Sequence, residues 1–247
     1  MPRPPNRSTK RRILPINYVG RVIVLFKKIV AGALCVLLLV VPCAGLPQAS
    51  VALYDPLSGK FLVEQNAQLR RGMASTTKIM TAWLACELYD PAHTVSVPAS
   101  WCGVEGSSIY LQPEERVSVE ELLYGLLLHS GNDAGVALAS MMTGDLPDFV
   151  EEIGLLDTHF ENPHGLDAET HYSTACDMAR LAAAALENEL FATIVARKSI
   201  RIGSRSFVNH NRLLSMVDGA DGVKTGFTKR CGRCLVSSVT RNGRRLI

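Results

Sequence analysis

Past an uncharged run at residues 29–41, the hydrophobic pattern of this chain switches between a period of two and a period near 3.6. Residues 51–54 and 60–63 are short apolar runs joined by the turn-rich Asp55-Pro-Leu-Ser-Gly59, and they predict a β-hairpin. A helical stretch opens at Ser75 and reaches about Leu88, with Ile79, Met80, Trp83 and Leu84 at helical spacing. Ser118-Val-Glu-Glu121 is a capping box, in which serine and glutamate side chains satisfy free backbone N–H groups, and it starts a helix to about Leu128. His129-Ser-Gly-Asn132 interrupts that helix, and a small-residue helix follows to about Met142. Thr174-Ala-Cys-Asp177 offers a threonine cap and an acidic first turn for another helix through Leu186. Residues 199–208 hold two short β-prone runs about Gly203-Ser204, and residues 222–227, 235–240 and 244–247 read as strands. Strands at both ends with helices between them predict an α+β fold. An antiparallel sheet built from both termini carries a helical lobe, with the cleft at their junction.

Charge divides the chain differently. The net charge is +3, but eight basic side chains lie within residues 1–28 and the first acidic residue is Asp55. The remainder holds 18 basic against 23 acidic residues and is therefore acidic, the wrong sign for a nucleic-acid binder. The basic stretch leads into the uncharged residues 29–41, which as a helix would span about 20 Å, short of a ~30 Å hydrocarbon core. The expected organisation is a basic n-region and export signal, or a retained membrane anchor, over residues 1–49. A catalytic domain over residues 50–247 follows it.

Seven cysteines give no disulfide framework: Cys35 and Cys43 fall in the leader, and the odd set Cys86, Cys102, Cys176, Cys231 and Cys234 remains. Cys231-Gly-Arg-Cys234 has half-site spacing, but no second pair or histidine cluster completes a metal centre. No metal is expected.

Three segments carry chemistry jointly: Ser75-Thr-Thr-Lys78, Ser130-Gly-Asn132 and Lys224-Thr-Gly226. Ser75 and Lys78, three apart on a helix, share a face, and a serine needs a base within hydrogen-bond reach. Lysine serves as that base only if burial or a neighbouring cation, here Lys224, lowers its pKa. Ser130-Gly-Asn132 lies between two helices, where a loop pushes polar side chains into a cleft. There Ser130 would relay a proton to a leaving nitrogen, and Asn132 would bind a substrate amide. Lys224 and Gly226 share one face of an edge-like strand and Thr225 the other, with Gly226 leaving room for a substrate backbone to pair. The N–H groups of Ser75 and Phe227 would then form an oxyanion hole. Each segment alone fits an ordinary helix start, turn or strand lysine. Their order and spacing point to one serine acyltransferase site.

With these motifs the chain resembles the low-molecular-weight penicillin-binding proteins that are serine-type D-alanyl-D-alanine carboxypeptidases. The resemblance runs from about Val51 to Ile247. It includes Asp55-Pro-Leu-Ser-Gly59, Leu122-Leu-Tyr-Gly-Leu-Leu-Leu128, Ser130-Gly-Asn-Asp-Ala134, Asp157-Thr-His-Phe160, Asn162-Pro-His-Gly-Leu166 and Asp221-Gly-Val-Lys-Thr-Gly-Phe-Thr228. It implies a β-lactamase/DD-peptidase-like fold with Ser75 as the acylated nucleophile, Lys78 as its proton acceptor and Ser130 as the relay. Asn132 would contact substrate, and Lys224 with Thr225 would hold its terminal carboxylate. The substrate implied is the D-Ala-D-Ala terminus of peptidoglycan stem peptides, processed outside the cytoplasmic membrane without a cofactor. β-Lactam antibiotics are the implied covalent inhibitors.

Three departures accompany the resemblance: Met73 where proline is usual, a shortening near residues 149–154, and a final strand that stops at Ile247. The last is expected to weaken the link between the two halves of the sheet, as in a truncated product. The competing readings are a β-lactamase-like hydrolase, with Glu161 as a thin candidate for activating water, and a truncated, non-catalytic cell-wall binding protein.

Overall fold

The computed structural model describes residues 49–142 and 154–247. The basic leader, the uncharged run and the shortening at residues 149–153 lie outside the described residues. Strands β1 (Val51–Asp55) and β2 (Lys60–Gln65) form the expected hairpin. At the other end of the chain, β7 (Ala220–Thr228), β8 (Gly232–Arg241) and β9 (Arg244–Leu246) form an antiparallel meander in the order β7-β8-β9. The two halves meet at one residue pair. Tyr54 N–H donates to Ile247 O at 2.7 Å and Ile247 N–H donates to Tyr54 O at 3.0 Å, the reciprocal exchange of an antiparallel ladder. Ile247 is buried, so the joint is also packed. The final strand thus links β8 to β1, where the sequence reading expected a weak connection.

Arg244 reinforces this joint by donating to Asp55 Oδ2 at 2.6 Å, while Ser58 Oγ donates to the same oxygen at 2.5 Å. These hydrogen bonds hold the Asp55 pKa below its ordinary value, the arginine contributing most. A depressed carboxylate pKa stabilises the fold above the unfolded-state value, and that contribution is lost as pH falls through the folded value. Arg244→Ala is therefore expected to lower the thermal midpoint by a few degrees at pH 7. The gap to wild type should close in strong acid, as a pH series of melting curves would record.

The helical lobe contains α1 (Lys78–Leu88), α2 (Val119–Leu127), α3 (Asn132–Met141), α4 (Ala175–Ala185), α5 (Glu189–Ala196) and the short α6 (Leu213–Met216). α1 is buried along its whole first two turns, Lys78 to Ala85, because it runs through the middle of the lobe and touches α2, α3, α4 and β7. The predicted caps form: Ser118 Oγ accepts from Glu121 N–H at 3.1 Å, and Thr174 Oγ1 accepts from Asp177 N–H at 3.0 Å. Asn188 caps α5 in the same way, a helix the hydrophobic pattern did not single out.

Two small ladders complete the described residues. β5 (Ser199–Ile202) and β6 (Arg205–Val208) pair about Gly203, as the β-prone runs predict. β3 (Thr94–Ser96) and β4 (Arg116–Ser118) were not predicted, because three residues are too few to show a period. The helix expected from Ser75 also differs at its start. Ala74–Thr77 is a 3₁₀ turn, and regular α geometry begins at Lys78.

Candidate active site

Ser75 sits in the 3₁₀ turn that feeds α1, at the end of the lobe facing β7. The turn is built under constraint. Ala74 has φ +47°, a left-handed conformation that costs a residue with a Cβ free energy. Side chains and a close backbone contact hold it there. Thr76 Oγ1 donates to Met73 O at 2.6 Å, and Thr77 Oγ1 donates to Ala74 O at 2.8 Å. His171 Nδ1 accepts from Glu161 N–H at 3.0 Å, so the neutral ring carries its proton on Nε2 and donates to Thr77 Oγ1 at 2.7 Å. Burial pushes the His171 pKa down to about 4, keeping the ring in that form. Gly165 completes the support: a Cβ there would lie 1.9 Å from Ala74 O.

Lys78 is fully buried and its amine reaches three oxygens: Ser75 Oγ at 3.0 Å, Asn132 Oδ1 at 2.7 Å and His164 O at 2.5 Å. Burial first and the Lys224 charge second hold its pKa well below the ordinary lysine value, against the opposing pull of Asp133. A neutral amine has two N–H donors and one lone pair. The amide of Asn132 and the carbonyl of His164 accept the two donors, which leaves the lone pair for the Ser75 hydroxyl. This is the geometry of a base beside its nucleophile.

The loop between α2 and α3 supplies the opposite wall. Ser130 adopts φ +66°, which breaks the helix and turns its hydroxyl to the buried amine of Lys224, 3.0 Å away. Asn132 opens α3; its N–H donates to Ser107 O at 2.7 Å and its Nδ2 donates to Glu105 O at 2.5 Å, so its Oδ1 is the atom left for Lys78. Asp133 is buried and gathers Ser108 Oγ and the N–H groups of Ile109 and Leu111 at 2.6–3.1 Å, tying the 105–111 segment to α3.

Lys224 also donates to Thr225 O at 2.9 Å, and burial lowers its pKa to about 7. It lies on β7, whose position at the end of the β7-β8-β9 order leaves one strand edge open toward the Ser75 turn. Gly226 makes that approach possible. An added Cβ would lie 2.8 Å from Ser75 N and 3.1 Å from Thr76 N. Thr225 is half-buried, and Phe227 is exposed with the Arg233 guanidinium 5.9 Å from its ring centre.

The structure thus gathers Ser75, Lys78, Ser130, Asn132, Lys224 and Gly226 into one cluster joined by hydrogen bonds or direct contact, and places Thr225 and Phe227 along the same strand. Sequence reasoning missed His164, whose useful atom is a backbone carbonyl, and Asp133 and Gly165, whose roles are architectural. All three lie inside segments that carried the family resemblance. Glu161, the candidate for activating water, is exposed and committed to Thr170, accepting from its N–H at 3.0 Å and its hydroxyl at 2.7 Å. Among the described residues, no group of three or more His, Cys, Asp or Glu could hold a metal ion.

Comparison with known proteins decides the family. The family model described as D-alanyl-D-alanine carboxypeptidase matches residues 46–247. The chain belongs to this family. Among D-alanyl-D-alanine carboxypeptidases it is similar to DacF of Bacillus subtilis, 36% identical over 215 residues that cover 80% of this chain and 55% of DacF. Escherichia coli DacA is 37% identical over 228 residues, covering 82% of this chain and 56% of DacA. The chain therefore spans about half the length of these curated relatives. Solved structures agree with the fold. A D-alanyl-D-alanine carboxypeptidase from Mycobacterium tuberculosis superposes with a TM-score of 0.76 at 32% identity, over 80% of this chain and 79% of that one. A mutant of a Streptomyces DD-transpeptidase gives 0.73 at 30%, over 80% and 87%. The α+β architecture expected from the sequence is shared with these solved structures.

Proposed function

We propose that this chain is a serine-type D-Ala-D-Ala carboxypeptidase that removes the terminal D-alanine from peptidoglycan stem peptides outside the cytoplasmic membrane. Residues 1–49 would be the export signal or anchor. The observation that carries the reading is the paired contact of Lys78 with Ser75 and of Lys224 with Ser130, each at 3.0 Å. Neutral Lys78 takes the Ser75 proton as Oγ attacks the penultimate D-alanine carbonyl. The oxyanion is met by the N–H groups of Ser75 and Phe227, donors of a kind worth about 10²–10³ in rate each. As the tetrahedral intermediate collapses, Ser130 passes its proton to the leaving amine and is reprotonated from the lysine side. The C–N bond breaks, D-alanine leaves, and water then hydrolyses the acyl-Ser75 ester. Lys224 and Thr225 hold the terminal carboxylate, and Asn132 contacts a substrate amide. A β-lactam ring would enter the same sequence and stop at the ester.

The experiment is a pair of assays on the purified protein. Benzylpenicillin should add its own mass once per chain. A peptide ending in D-Ala-D-Ala should release D-alanine, with a rate that falls in acid. The sign follows from Lys78: only its neutral amine can take the Ser75 proton, so activity is lost as pH drops through its lowered pKa. No adduct and no D-alanine would sink the reading. Rapid β-lactam turnover would favour the hydrolase alternative, against which the occupied carboxylate of Glu161 already weighs. Similarity to a DD-transpeptidase makes the acyl acceptor worth testing, and adding an amine acceptor separates transfer from hydrolysis.

A further inference from the structure

Arg205, a strand residue that the mechanism does not use, grips the backbone on which the Ser130 loop rests. It opens β6, and its guanidinium sits largely buried between two carboxylates. Nη1 donates to Glu121 Oε1 at 2.8 Å, and Nη2 donates to the two oxygens of Glu115 at 2.8 and 2.9 Å. The same fork reaches main chain: Nε donates to Ile109 O at 3.0 Å and Nη2 to Tyr110 O at 3.4 Å. Tyr110 has φ +59°, a left-handed conformation that costs a residue with a Cβ free energy. Its N–H donates to Ser108 Oγ at 2.9 Å, while Asp133 accepts from Ile109 N–H at 3.0 Å and Leu111 N–H at 3.1 Å. The strained segment is therefore held by Arg205 at its carbonyls and by Ser108 and Asp133 at its N–H groups.

Ile109 carries that grip to the cleft. Its side chain is wedged against two glycines: a Cβ on Gly125 of α2 would lie 2.8 Å from Ile109 Cγ2, and one on Gly131 of the α2–α3 loop 2.9 Å from the same atom. Gly131 N–H donates to Gly125 O at 3.0 Å, which ties the loop to the helix at the wedge. Gly131 follows Ser130, whose left-handed backbone aims its hydroxyl at Lys224, and precedes Asn132, whose N–H donates to Ser107 O at 2.7 Å. A shift of Ile109 thus moves the loop that presents Ser130. We propose that Arg205 is a positioning residue for proton delivery to the leaving group, acting through Ile109 and Gly131 on the placement of the Ser130 hydroxyl. The proposal rests on the carboxypeptidase reading, in which Ser130 protonates the leaving amine as the C–N bond breaks.

The leaving group separates positioning from mere support of the fold. An amine must be protonated as it departs, whereas a thiolate leaves without a proton, so a misplaced Ser130 penalises the amide selectively. The substrates are an N-acylated peptide ending in D-Ala-D-Ala and the thioester in which thioglycolate replaces the last alanine. They are compared by kcat/KM, which reports every step through departure of the leaving group. Arg205→Met alone would strand the carboxylates of Glu115 and Glu121, so the first test protein is R205M/E115Q/E121Q, which removes the three charges together. Its kcat/KM is expected to fall about tenfold for the amide and no more than about twofold for the thioester. Ile109→Ala, which keeps the carbonyl and removes the wedge, should show the same bias. Arg244→Ala, which loses the ion pair with Asp55, is the control and should leave the amide-to-thioester ratio at its wild-type value. Equal falls for the two substrates, or unchanged rates, in R205M/E115Q/E121Q or in Ile109→Ala overturn the proposal. If wild type meanwhile forms the penicillin adduct and releases D-alanine, the carboxypeptidase reading stands without it. No adduct and no turnover of either substrate by wild type overturn both.

Discussion

Ser75→Ala protein is expected to take up no penicillin and to release D-alanine at the background rate, a loss of roughly 10⁵–10⁶-fold as for other nucleophile deletions. The expectation rests on an arrangement with no substitute nearby. The lone pair of neutral Lys78 is left for the Ser75 hydroxyl once Asn132 Oδ1 and His164 O have accepted its two N–H donors. Ser130, the other serine of the cluster, belongs to Lys224. Intact-mass measurement after incubation with benzylpenicillin checks the covalent part, and a melting curve within a few degrees of wild type shows that the fold survives. A residual adduct in the variant would show that another side chain is the nucleophile and would require a different assignment of the cluster.

Gly165→Ala should be among the most damaging single-methyl additions in the protein. Gly165 has φ +88°, which strains any residue with a Cβ, and the new carbon would lie 1.9 Å from Ala74 O and 2.9 Å from Ser75 N. Backbone must move, and the backbone in question is the strained turn that presents the nucleophile. Together these effects are worth about 3 kcal/mol, a fall in thermal midpoint of roughly 6–12 °C for a domain of this size. Penicillin acylation should also slow, because Ala74 and Ser75 shift. Gly103→Ala is the control. Its φ of +71° imposes the same backbone strain, but nothing lies within 4 Å of its Cβ. It should lose only about a third as much stability and keep its acylation rate. Equal losses in the two variants would mean that the contact with Ala74 is unimportant.

Most of the fold was legible because the signals were local. The hairpin around Asp55-Pro-Leu-Ser-Gly59 and the helices capped by Ser118 and Thr174 each depend on residues within a few positions. The β3–β4 ladder and α5 carry weaker signals, the first for its brevity and the second because a single asparagine cap precedes only 8 helical residues. The candidate site divided along a similar line. Ser75, Lys78, Ser130, Asn132 and Lys224 announced themselves through spacing and order. His164 did not, since any residue has a carbonyl.

The family resemblance, the α+β class and the side chains of the cluster are all readable along the chain. Those rest on residue types at short range and on motif order. Packing in three dimensions strips Lys78 and Lys224 of water, which gives each a lowered pKa, and forces Ala74 and Ser130 into left-handed backbone. Packing also pairs Ile247 with Tyr54 across the sheet. Desolvation and strain belong to the packing of segments far apart along the chain, and no local pattern encodes them.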